Sequence, residues 1–379
     1  MNIGEFCDTF PPMLDGVGRV AMSYCSELAK MGHSAYYIAP DAPKYKEQTD
    51  VSLVAYKSVP IPGLPYRVGL PATDFSFRRG LDALSIDIAH AHSPFFTGME
   101  ALRQKRKLGI PLVATLHSKY FDDILKATHS KAIAKKGVSK IVGFFDKCDE
   151  VWTVNDSTAE VLEGYGYKGE IIVMENGTDG AELSSADRKE AEERFSIKSG
   201  EHLLLYVGQH DYKKNIKRIL LAMKLLKGSG YPFRLVMVGK GGDEKKIRED
   251  VSELGLENNV TLAGFEDRRN ILLALYERAE LLVFPSLYDT CGLVVREAAV
   301  MGTPSIVVRS SCAAEGIEDG VNGFLCTDDE SDIARIIPLA LERSEAVGRA
   351  AAATLPIAWS QIVAKAEKRY MALIEKSKG

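Results

Sequence analysis

Short apolar runs recur along the chain in two series, and a turn signal follows each run. The first series contains NIGEFC, AYYIAP, DIAHAHS, PLVATLHS, EVWTVN and EIIVMENG, and the second contains HLLLYVGQ, RLVMVGKGG, NVTLAGF, LLVFPS and PSIVV. Runs of this length that are rich in Val, Ile and Leu are typical of strands buried on both faces of a parallel sheet. Helical patterns such as VAMSYCSELAKMGH and IKRILLAMKLLKGSG separate the runs. The sequence therefore predicts an α/β protein with two doubly wound sheets.

A polar stretch between the two series, GTDGAELSSADRKEAEERFSIKSGE, marks the predicted domain boundary. A chain of 379 residues is too long for one ordinary hydrophobic core. We expect an N-terminal domain over residues 1–180, a C-terminal domain over 195–355 and a final helix over 356–379, with ENGTDG as the candidate hinge. Doubly wound sheets bind ligands at the carboxyl ends of their strands, so we expect the site in a cleft between the domains.

The charge and the cysteine content limit the possible binding partners and the cellular location. A net charge of -4 gives no overall attraction to nucleic acid, and no run approaches the roughly 20 apolar residues that span a bilayer. The six cysteines are scattered without a C-x-x-C, which predicts reduced thiols and a cytoplasmic location. The start MNIGEFC lacks the basic and long apolar regions of a signal peptide. Residues 101–147, however, hold eleven Lys or Arg against three Asp, a balance of +8.

Two segments have the composition of anion-binding loops. DGVGRVA places Gly16 and Gly18 before a predicted helix, where backbone amides can approach a phosphate. A flexible turn would explain the same glycines, whereas a dinucleotide fingerprint is disfavoured because eight residues with two prolines precede Gly16. YVGQHDYKKN places Lys213 and Lys214 at the start of another helix, where cations oppose the helix dipole. A negatively charged ligand would account for these lysines, and so would ordinary solvated side chains.

The segment SLYDTCGLVVREAAVMGTP, residues 286–304, holds two acids around a predicted helix start. Asp289 lies in the loop after a strand, and Glu297 lies one turn inside the helix that follows Gly292. The amides after Gly292 suit a diphosphate, so the two acids could grip groups on either side of it. Two carboxylates also form the acid/base pair of glycosidases, and an isolated D-x7-E pattern could be surface charge. The accompanying anion-binding features favour the ligand-gripping interpretation.

Histidines follow two predicted strands, DIAHAHS and PLVATLHS. A side chain at the carboxyl end of such a strand faces the ligand site, which makes His117 and His92 candidates, although a single histidine is more often structural. His90 and His92 are spaced for one face of a strand, as metal ligands could be. No cluster of carboxylates in the sequence completes such a site, so we expect no bound metal.

These motifs, in this order, resemble the retaining glycosyltransferases of family four, which have the GT-B architecture of two Rossmann-like domains facing a central cleft. The resemblance covers nearly the whole chain. It runs through DGVGRV, AHAHSPF, TLHSKY, VWTVN, ENGTD, YVGQ with KKN, MVGKGGDE, AGFEDR, FPSLYDTCGLVVREAAVMGTPSIV, DGVNGFL and the helix around Trp359. It implies transfer of a hexose from a nucleotide-diphosphate sugar of the UDP-glucose type, without a cofactor. It also implies that the last helix packs back on the N-terminal domain.

The resemblance assigns roles to individual residues. Glu297 would hold the ribose hydroxyls and Asp289 the hydroxyls of the donor sugar. Lys214, helped by Lys213, would bind the diphosphate, and His117 would lie near the donor sugar. The candidate catalytic residues are thus His117, Asp289 and Lys214. The other expected donor-binding residues are Gly16, Gly18, Gln209, Thr290, Cys291, Gly292, Leu293 and Val294.

Three positions depart from the family pattern. Gln209 stands where the family usually has Arg, which removes one positive charge that would face the diphosphate. Asp289 stands where the family usually has Glu and is one methylene shorter, so the identity of the sugar cannot be read from it. RSSCAAEG stands where many relatives have a Gly-Gly pair.

The acceptor is the least constrained part of the prediction. The N-terminal motifs are similar to those of bacterial diacylglycerol glucosyltransferases, and basic amphipathic segments such as 101–147 can lie on anionic membranes. We therefore expect a lipid acceptor and a peripheral enzyme on the inner face of the membrane, while a solvated basic helix with an ordinary core face is the alternative interpretation of the segment. A soluble or polysaccharide acceptor, a nucleotide-sugar epimerase and a non-catalytic nucleotide-sugar binder remain alternative functions.

Overall fold

The computed structural model describes residues 1–9, 16–41, 51–60, 67–197 and 200–378. The chain divides into two compact units. Unit 1 comprises Met1–Gly177 together with Ala358–Gly379, and unit 2 comprises Thr178–Ile357.

Unit 1 is built on a parallel sheet of seven strands. The strands of the whole unit, including two outside this sheet, are β1 (Asn2–Phe6), β2 (Ser34–Pro40), β3 (Ser52–Tyr56), β4 (Val59–Pro60), β5 (Arg67–Val68), β6 (Ile88–Ala91), β7 (Leu112–Leu116), β8 (Glu150–Thr153) and β9 (Ile171–Val173). Its helices up to Gly177 are α1 (Gly16–Lys30), α2 (Phe75–Ala83), α3 (Phe96–Leu108), α4 (Tyr120–Thr128), α5 (Lys131–Phe145) and α6 (Asp156–Gly164). The strand order is β3-β2-β1-β6-β7-β8-β9, and β4 and β5 form a separate antiparallel pair.

Unit 2 is built on a parallel sheet of six strands. Its helices are α7 (Ser185–Arg194), α8 (Ile216–Gly228), α9 (Glu244–Glu253), α10 (Arg269–Arg278), α11 (Leu293–Val300), α12 (Glu330–Leu341) and α13 (Ser344–Thr354). Its strands are β10 (Leu203–Val207), β11 (Arg234–Val238), β12 (Val260–Gly264), β13 (Leu281–Val283), β14 (Ser305–Val308) and β15 (Phe324–Cys326), in the order β12-β11-β10-β13-β14-β15.

The apolar runs become the central strands of both sheets, which confirms the predicted fold class. Every residue of β7 and of β10 is buried, because helices cover both faces of each sheet. The strand order reverses next to β1 in unit 1 and next to β10 in unit 2. In open α/β sheets, ligands bind outside the carboxyl ends of the strands at such a reversal. The segments that follow β1, β6, β10 and β13 are therefore the places to look for a site.

The last helix, α14 (Trp359–Lys378), belongs to unit 1. The Trp359 ring packs edge-on against Tyr24 of α1 at a centroid distance of 5.8 Å. Tyr370 stacks on Trp152 of β8 at 5.6 Å. Both tryptophans of the chain thus lie in unit 1, so their fluorescence reports on that unit. No helix in the described part of the chain is long and apolar enough to cross a membrane.

Candidate donor-binding site

The segment after β10 forms a short turn that presents two lysines. Lys213 and Lys214 lie in a single 3-10 turn, Tyr212–Lys214, immediately before α8 rather than in the first turn of an α-helix. The side chain of Asp211 caps this turn by accepting a hydrogen bond from the Lys213 amide at 2.9 Å. Asn215, at a φ of 64°, donates from Nδ2 to the carbonyl of Pro285 at 3.0 Å. This bond joins the segment after β10 to the segment after β13.

Lys214 and Asp289, two of the predicted site residues, are in direct contact. Lys214 Nζ donates to Asp289 Oδ1 at 2.7 Å, and the two side chains are 12% and 20% exposed. Asp289 Oδ2 is buried and has no hydrogen-bond partner among the described residues. A second cation contacts Tyr288, the chain neighbour of Asp289, since Lys213 Nζ is 4.4 Å from the ring centroid of Tyr288. One carboxylate oxygen is therefore held by a cation, and the other remains available to accept a hydrogen bond.

Gly292 sets the start of α11. Its φ of 61° and ψ of 50° place it in the left-handed region at the N-cap, where glycine is strongly favoured. A Cβ at this position would lie 2.8 Å from the Cβ of Ala313. The RSSCAAEG segment, whose role the sequence leaves open, thus packs against Gly292 through its 3-10 turn, Cys312–Ala314. The amides of Leu293 and Val294 begin α11, and such helix starts attract anions.

Glu297, in the middle of α11, has two partners that the sequence did not reveal. Arg269 Nη1 donates to Glu297 Oε1 at 2.9 Å, and the Tyr276 hydroxyl donates to Oε2 at 3.2 Å. Arg269 also donates from Nη2 to the carbonyl of Asp179 at 2.9 Å. Arg269 begins α10, and its position 28 residues before Glu297 in the chain is not a spacing that any local motif specifies. The contacts fix the Glu297 carboxylate as a hydrogen-bond acceptor.

The remaining predicted donor-binding residues lie after β10, in the segment before α11 and at the start of α1. Gln209 is exposed after β10. Thr290 and Cys291 are half-buried and lie between Asp289 and Gly292. In unit 1, Gly16 and Gly18 lie inside the first turn of α1 and not in a loop before it. The Asp that opens the DGVGRV motif, at position 15, lies outside the described residues.

His117, the predicted catalytic histidine, lies after β7 and belongs to a buried polar network in unit 1. His117 Nε2 is 3.0 Å from His92 Nδ1, and His92 Nε2 is 2.7 Å from Glu5 Oε2. Glu5 Oε2 is also 3.0 Å from His90 Nδ1. Tyr370 of α14 reaches the same network, with its hydroxyl 2.6 Å from His90 Nδ1. Glu5 is a charged residue in the middle of a buried strand, and that sequence anomaly could have drawn attention to it.

Burial and neighbours determine the charge of these groups. Burial alone would raise the pKa of Glu5, but the charges and hydrogen bonds of His90 and His92 outweigh it and lower the pKa to about 2. Burial lowers the pKa of His92 to about 4, despite the opposing effect of Glu5. Burial, with the charges of His92 and His90 added, lowers the pKa of His117 well below its usual range. At neutral pH, Glu5 is ionised and His92 and His117 are neutral.

Glu5, His90 and His92 are also close enough to share a metal ion, since their ligand atoms lie within 4.8 Å of one another. Glu5 is the carboxylate that the sequence did not place beside the two histidines. The atoms that would bind a metal are engaged with one another at 2.7 and 3.0 Å, which are hydrogen-bond distances. All three side chains are fully buried. We therefore describe the cluster as a hydrogen-bond network.

Comparison with known proteins assigns the chain to a family. Residues 14–182 match the family model for Glycosyltransferase Family 4, and residues 187–353 match the model for Glycosyl transferases group 1. These matches, together with the two doubly wound parallel sheets, show that the chain is a glycosyltransferase with the GT-B fold. It belongs to glycosyltransferase family 4, whose members are retaining enzymes that use nucleotide sugars. The chain is therefore an enzyme that binds a nucleotide-sugar donor.

Several characterised proteins are similar to the chain. The alpha-monoglucosyldiacylglycerol synthase of Streptococcus pneumoniae is 27% identical over 337 residues, which cover 86% of this chain and 75% of that protein. The enzyme of the same name from Acholeplasma laidlawii is 24% identical, with coverage of 100% and 98%. Among solved structures, Anabaena HepE in complex with UDP and glucose has a TM-score of 0.78 at 18% identity, with coverage of 97% and 99%. Sucrose-phosphate synthase from Thermosynechococcus elongatus has a TM-score of 0.81 at 18% identity, with coverage of 99% of each chain.

Proposed function

We propose that this glycosyltransferase moves glucose from UDP-glucose to a membrane lipid and forms an α-glycoside. The observation that carries the donor half of the proposal is the Lys214–Asp289 contact, with Asp289 Oδ2 buried and without a hydrogen-bond partner in the described part of the chain. A buried carboxylate oxygen without a donor is costly, and a sugar hydroxyl would satisfy it. The relatives whose names specify glucosyldiacylglycerol synthesis support the lipid acceptor.

The proposed chemistry uses charge stabilisation by the protein. When the glycosyl–phosphate bond breaks, negative charge builds on the departing diphosphate. Lys214 and the amides at the start of α11 would stabilise that charge, which is commonly the largest catalytic contribution. Asp289 would hold a hydroxyl of the sugar through Oδ2. His117 would contact a substrate hydroxyl from unit 1.

Glu297 would bind the ribose hydroxyls. Arg269 and Tyr276 donate to its two oxygens and fix the carboxylate as an acceptor for the ribose hydroxyls. Because each acid has a cation beside it, Asp289 and Glu297 act in this proposal as two fixed acceptors on one ligand. The acid/base interpretation of the pair is not needed for transfer with retention, in which the departing phosphate can take the proton of the acceptor.

The surface of α5 supports attraction to an anionic membrane. Lys131, Lys135, Lys136 and Lys140 are exposed on this helix, which contains no Asp or Glu. Within the described part of the chain, no carboxylate lies within ion-pair distance of these four lysines. The apolar face of α5 is in the core of unit 1, so the contact with a membrane would be mainly electrostatic.

Three basic residues of α3 are paired with carboxylates. Arg103 pairs with Glu100 and Asp82, and Lys105 pairs with Asp149 at 2.8 Å. Lys107 pairs with Asp82 at 2.5 Å. The four exposed lysines of α5 are therefore the part of the charge excess over residues 101–147 on which the membrane proposal rests, and the proposal is confined to that helix.

An apolar surface in unit 1 supports a lipid acceptor. Phe95, Phe96 and Met99 lie at the start of α3, after the carboxyl end of β6, and are 43%, 39% and 53% exposed. The Phe95 ring contacts Tyr120, the first residue of α4. Three large apolar side chains at the ligand-binding edge of the sheet would suit acyl chains better than a polysaccharide.

The test is release of UDP from UDP-glucose in the presence of vesicles with and without diacylglycerol. We expect turnover that requires the lipid and rises with the anionic lipid content of the vesicles. Turnover of UDP-glucose on a soluble acceptor, indifferent to vesicles, would overturn the lipid half. If none of a panel of sugar nucleotides is turned over with any lipid, the proposal as a whole fails.

A matched pair of variants tests the surface of α5. Each surface lysine contributes about 1 kcal/mol to binding of an anionic membrane, so Lys135→Ala with Lys136→Ala should weaken vesicle binding roughly 30-fold. The control replaces Lys189 and Lys245 of unit 2, which are 77% and 93% exposed, and should leave vesicle binding unchanged. Equal losses in the two double variants would contradict a specific role for α5.

A further inference from the structure

The segment after β11 runs directly beside Gln209, the residue that stands where the family usually has Arg. The strands β10 and β11 pair in parallel. Beyond their ends, the Gly208 amide donates to the Val238 carbonyl at 3.0 Å, and the His210 amide donates to the Lys240 carbonyl at 3.1 Å. These two bonds continue the parallel ladder in the same register, so Gln209 lies beside Lys240.

Two glycines of the MVGKGGDE motif make this close approach possible. Gly239 has a φ of 144°, and a Cβ on it would lie 1.9 Å from the carbonyl oxygen of Gly208. A Cβ on Gly241 would lie 2.2 Å from the carbonyl oxygen of His210. A side chain at either position would push the two segments apart. Because Lys240 lies between these glycines, its backbone is held against the segment that follows β10.

The side chain of Lys240 is exposed, and no carboxylate in the described part of the chain lies within ion-pair distance of its ammonium group. The two acids that follow in the same segment have other partners. Asp243 Oδ2 accepts a hydrogen bond from the Tyr212 amide at 2.9 Å, and Glu244 Oε1 accepts one from Arg248 at 2.7 Å. The charge of Lys240 is therefore not neutralised by an ion pair with these acids.

The basic residue next to Gln209 in the chain, His210, does not supply a charge at neutral pH. Its side chain is 0% exposed. Burial lowers the pKa of His210, despite the opposing effect of Glu244. The imidazole is therefore neutral, and Lys240 is the charged residue that the β11 segment places beside Gln209.

We propose that Lys240 replaces the positive charge of the usual Arg at position 209 and binds the diphosphate of the donor together with Lys214. A diphosphate carries more than one negative charge, and Asp289 already pairs with Lys214 at 2.7 Å, so a further cation strengthens binding. The long, flexible stem of a lysine lets its ammonium group reach a ligand above the neighbouring segment. The inference rests on the proposed function for the placement of the diphosphate at the turn Tyr212–Lys214, but not for the sugar, the base or the acceptor.

The first experiment measures the affinity for UDP by calorimetry in Lys240→Met, with thermal melting to confirm that the variant is folded. Methionine keeps an unbranched side chain and removes the charge. Loss of an exposed cation beside a diphosphate should weaken binding about 3- to 10-fold, and the affinity should then depend less steeply on ionic strength. GDP and ADP serve as parallel probes, since all three nucleotides share the diphosphate. Unchanged affinity with an unchanged salt dependence would overturn the inference, and a purely structural role would not alter the salt dependence.

The second experiment restores the usual residue. Gln209→Arg completes a double-mutant cycle with Lys240→Met. If the two positions supply the same charge, the arginine should return the affinity of Lys240→Met to within about 2-fold of the unmodified protein. It should add less in the unmodified protein, where the two cations repel each other. Equal gains in both backgrounds would show that the positions act independently, which contradicts the proposal.

The control is Lys245→Met, which removes a lysine of α9 that is 93% exposed and 3.9 Å from Glu249. It should change the affinity for UDP by less than about 2-fold, as expected for a surface ion pair. If Lys214→Met weakens diphosphate binding and Lys240→Met does not, the inference fails and the proposed donor site stands. If neither folded variant weakens it, the proposed placement of the diphosphate fails as well. Binding that follows the cycle, in an enzyme that glucosylates no lipid, would support the inference and count against the proposed acceptor.

Discussion

Replacement of Lys214 by methionine tests the donor site most directly. Methionine keeps an unbranched side chain but removes the charge, and the change leaves Asp289 without the partner that now lies 2.7 Å away. The pair is mostly buried, at 12% and 20% exposure of the side chains, so the lost contact is only partly replaced by water. Lys214→Met thus removes one cation from the proposed diphosphate site and leaves one carboxylate unpaired.

Two energies follow from this geometry. A single preorganised donor to charge that develops in a transition state contributes about 2.7–4 kcal/mol, so kcat should fall roughly 100- to 1,000-fold. An unpaired buried polar group costs about 1–3 kcal/mol in folding free energy. Since Asp289 keeps some solvent access, the effect on the stability of unit 2 should lie at the lower end of that range. The catalytic loss should therefore exceed the loss of stability.

The assay is the initial rate of UDP release at saturating UDP-glucose and lipid, with thermal melting to confirm that the variant is folded. Lys217→Met is the control, because Lys217 lies one helical turn away and pairs with Asp250 at 3.0 Å. It should change kcat by less than about 3-fold, as expected for a surface ion pair remote from the reaction. If folded Lys214→Met retained kcat within 3-fold of the unmodified enzyme, its proposed role at the diphosphate would be refuted.

Three further outcomes follow from the structure. Gly292→Ala should lose most UDP binding, as measured by calorimetry. A left-handed φ of 61° costs alanine about 1–2 kcal/mol, and its Cβ would lie 2.8 Å from that of Ala313. The control, Gly302→Ala, has a φ of 81° and open space around it, so it should lose similar stability but keep its affinity for UDP. Because the pKa of His92 is lowered from 6.5 to about 4, the unfolded chain binds its proton first as the pH falls, and unit 1 should lose roughly 2 kcal/mol between pH 7.5 and 5. Urea titrations followed by tryptophan fluorescence should show this loss, with a smaller pH dependence in His92→Gln; equal pH dependence in the two proteins would contradict the assignment. Arg269→Met should raise the KM for the donor several-fold while it leaves kcat nearly unchanged, as expected if it only fixes a ribose-binding carboxylate, and an unchanged KM would count against that role.

The parts of the fold that local chemistry determines could be predicted from the sequence. The apolar runs predict buried parallel strands because they are short, rich in Val and Ile and bounded by turn signals, and α8 begins beside the predicted basic turn. The start of α1 was harder to place, since Gly16 and Gly18 were expected in a loop and instead lie in its first turn. Glycine permits both conformations, so its presence alone does not distinguish them.

The side-chain partners could not be predicted, because they come from residues that are distant in the chain. Lys214 and Asp289 are 75 positions apart, and Glu5 and His92 are 87 apart. The sequence placed Lys214 at the start of a helix and Asp289 in the loop after a strand, but it did not indicate that they contact each other. Arg269, which begins α10, had no recognisable signal at all.

Gln209 and Asp289 both differ from the family pattern, and the contact between Lys214 and Asp289 relates the two differences. With glutamine in place of the arginine that the family usually has, the proposed diphosphate site depends on Lys213 and Lys214, and Asp289 pairs with Lys214. In the proposed site, a donor would compete with Asp289 for Lys214, which would lower the affinity for a free diphosphate. A donor with a correctly placed sugar hydroxyl would recover part of this loss, because the hydroxyl can bond to the buried Oδ2 that has no partner. In this proposed site, Asp289 would therefore affect both ends of the ligand. It restrains Lys214, which would bind the diphosphate, and it would accept a hydrogen bond from the sugar. Discrimination between a UDP-sugar and UDP would thus depend on Asp289.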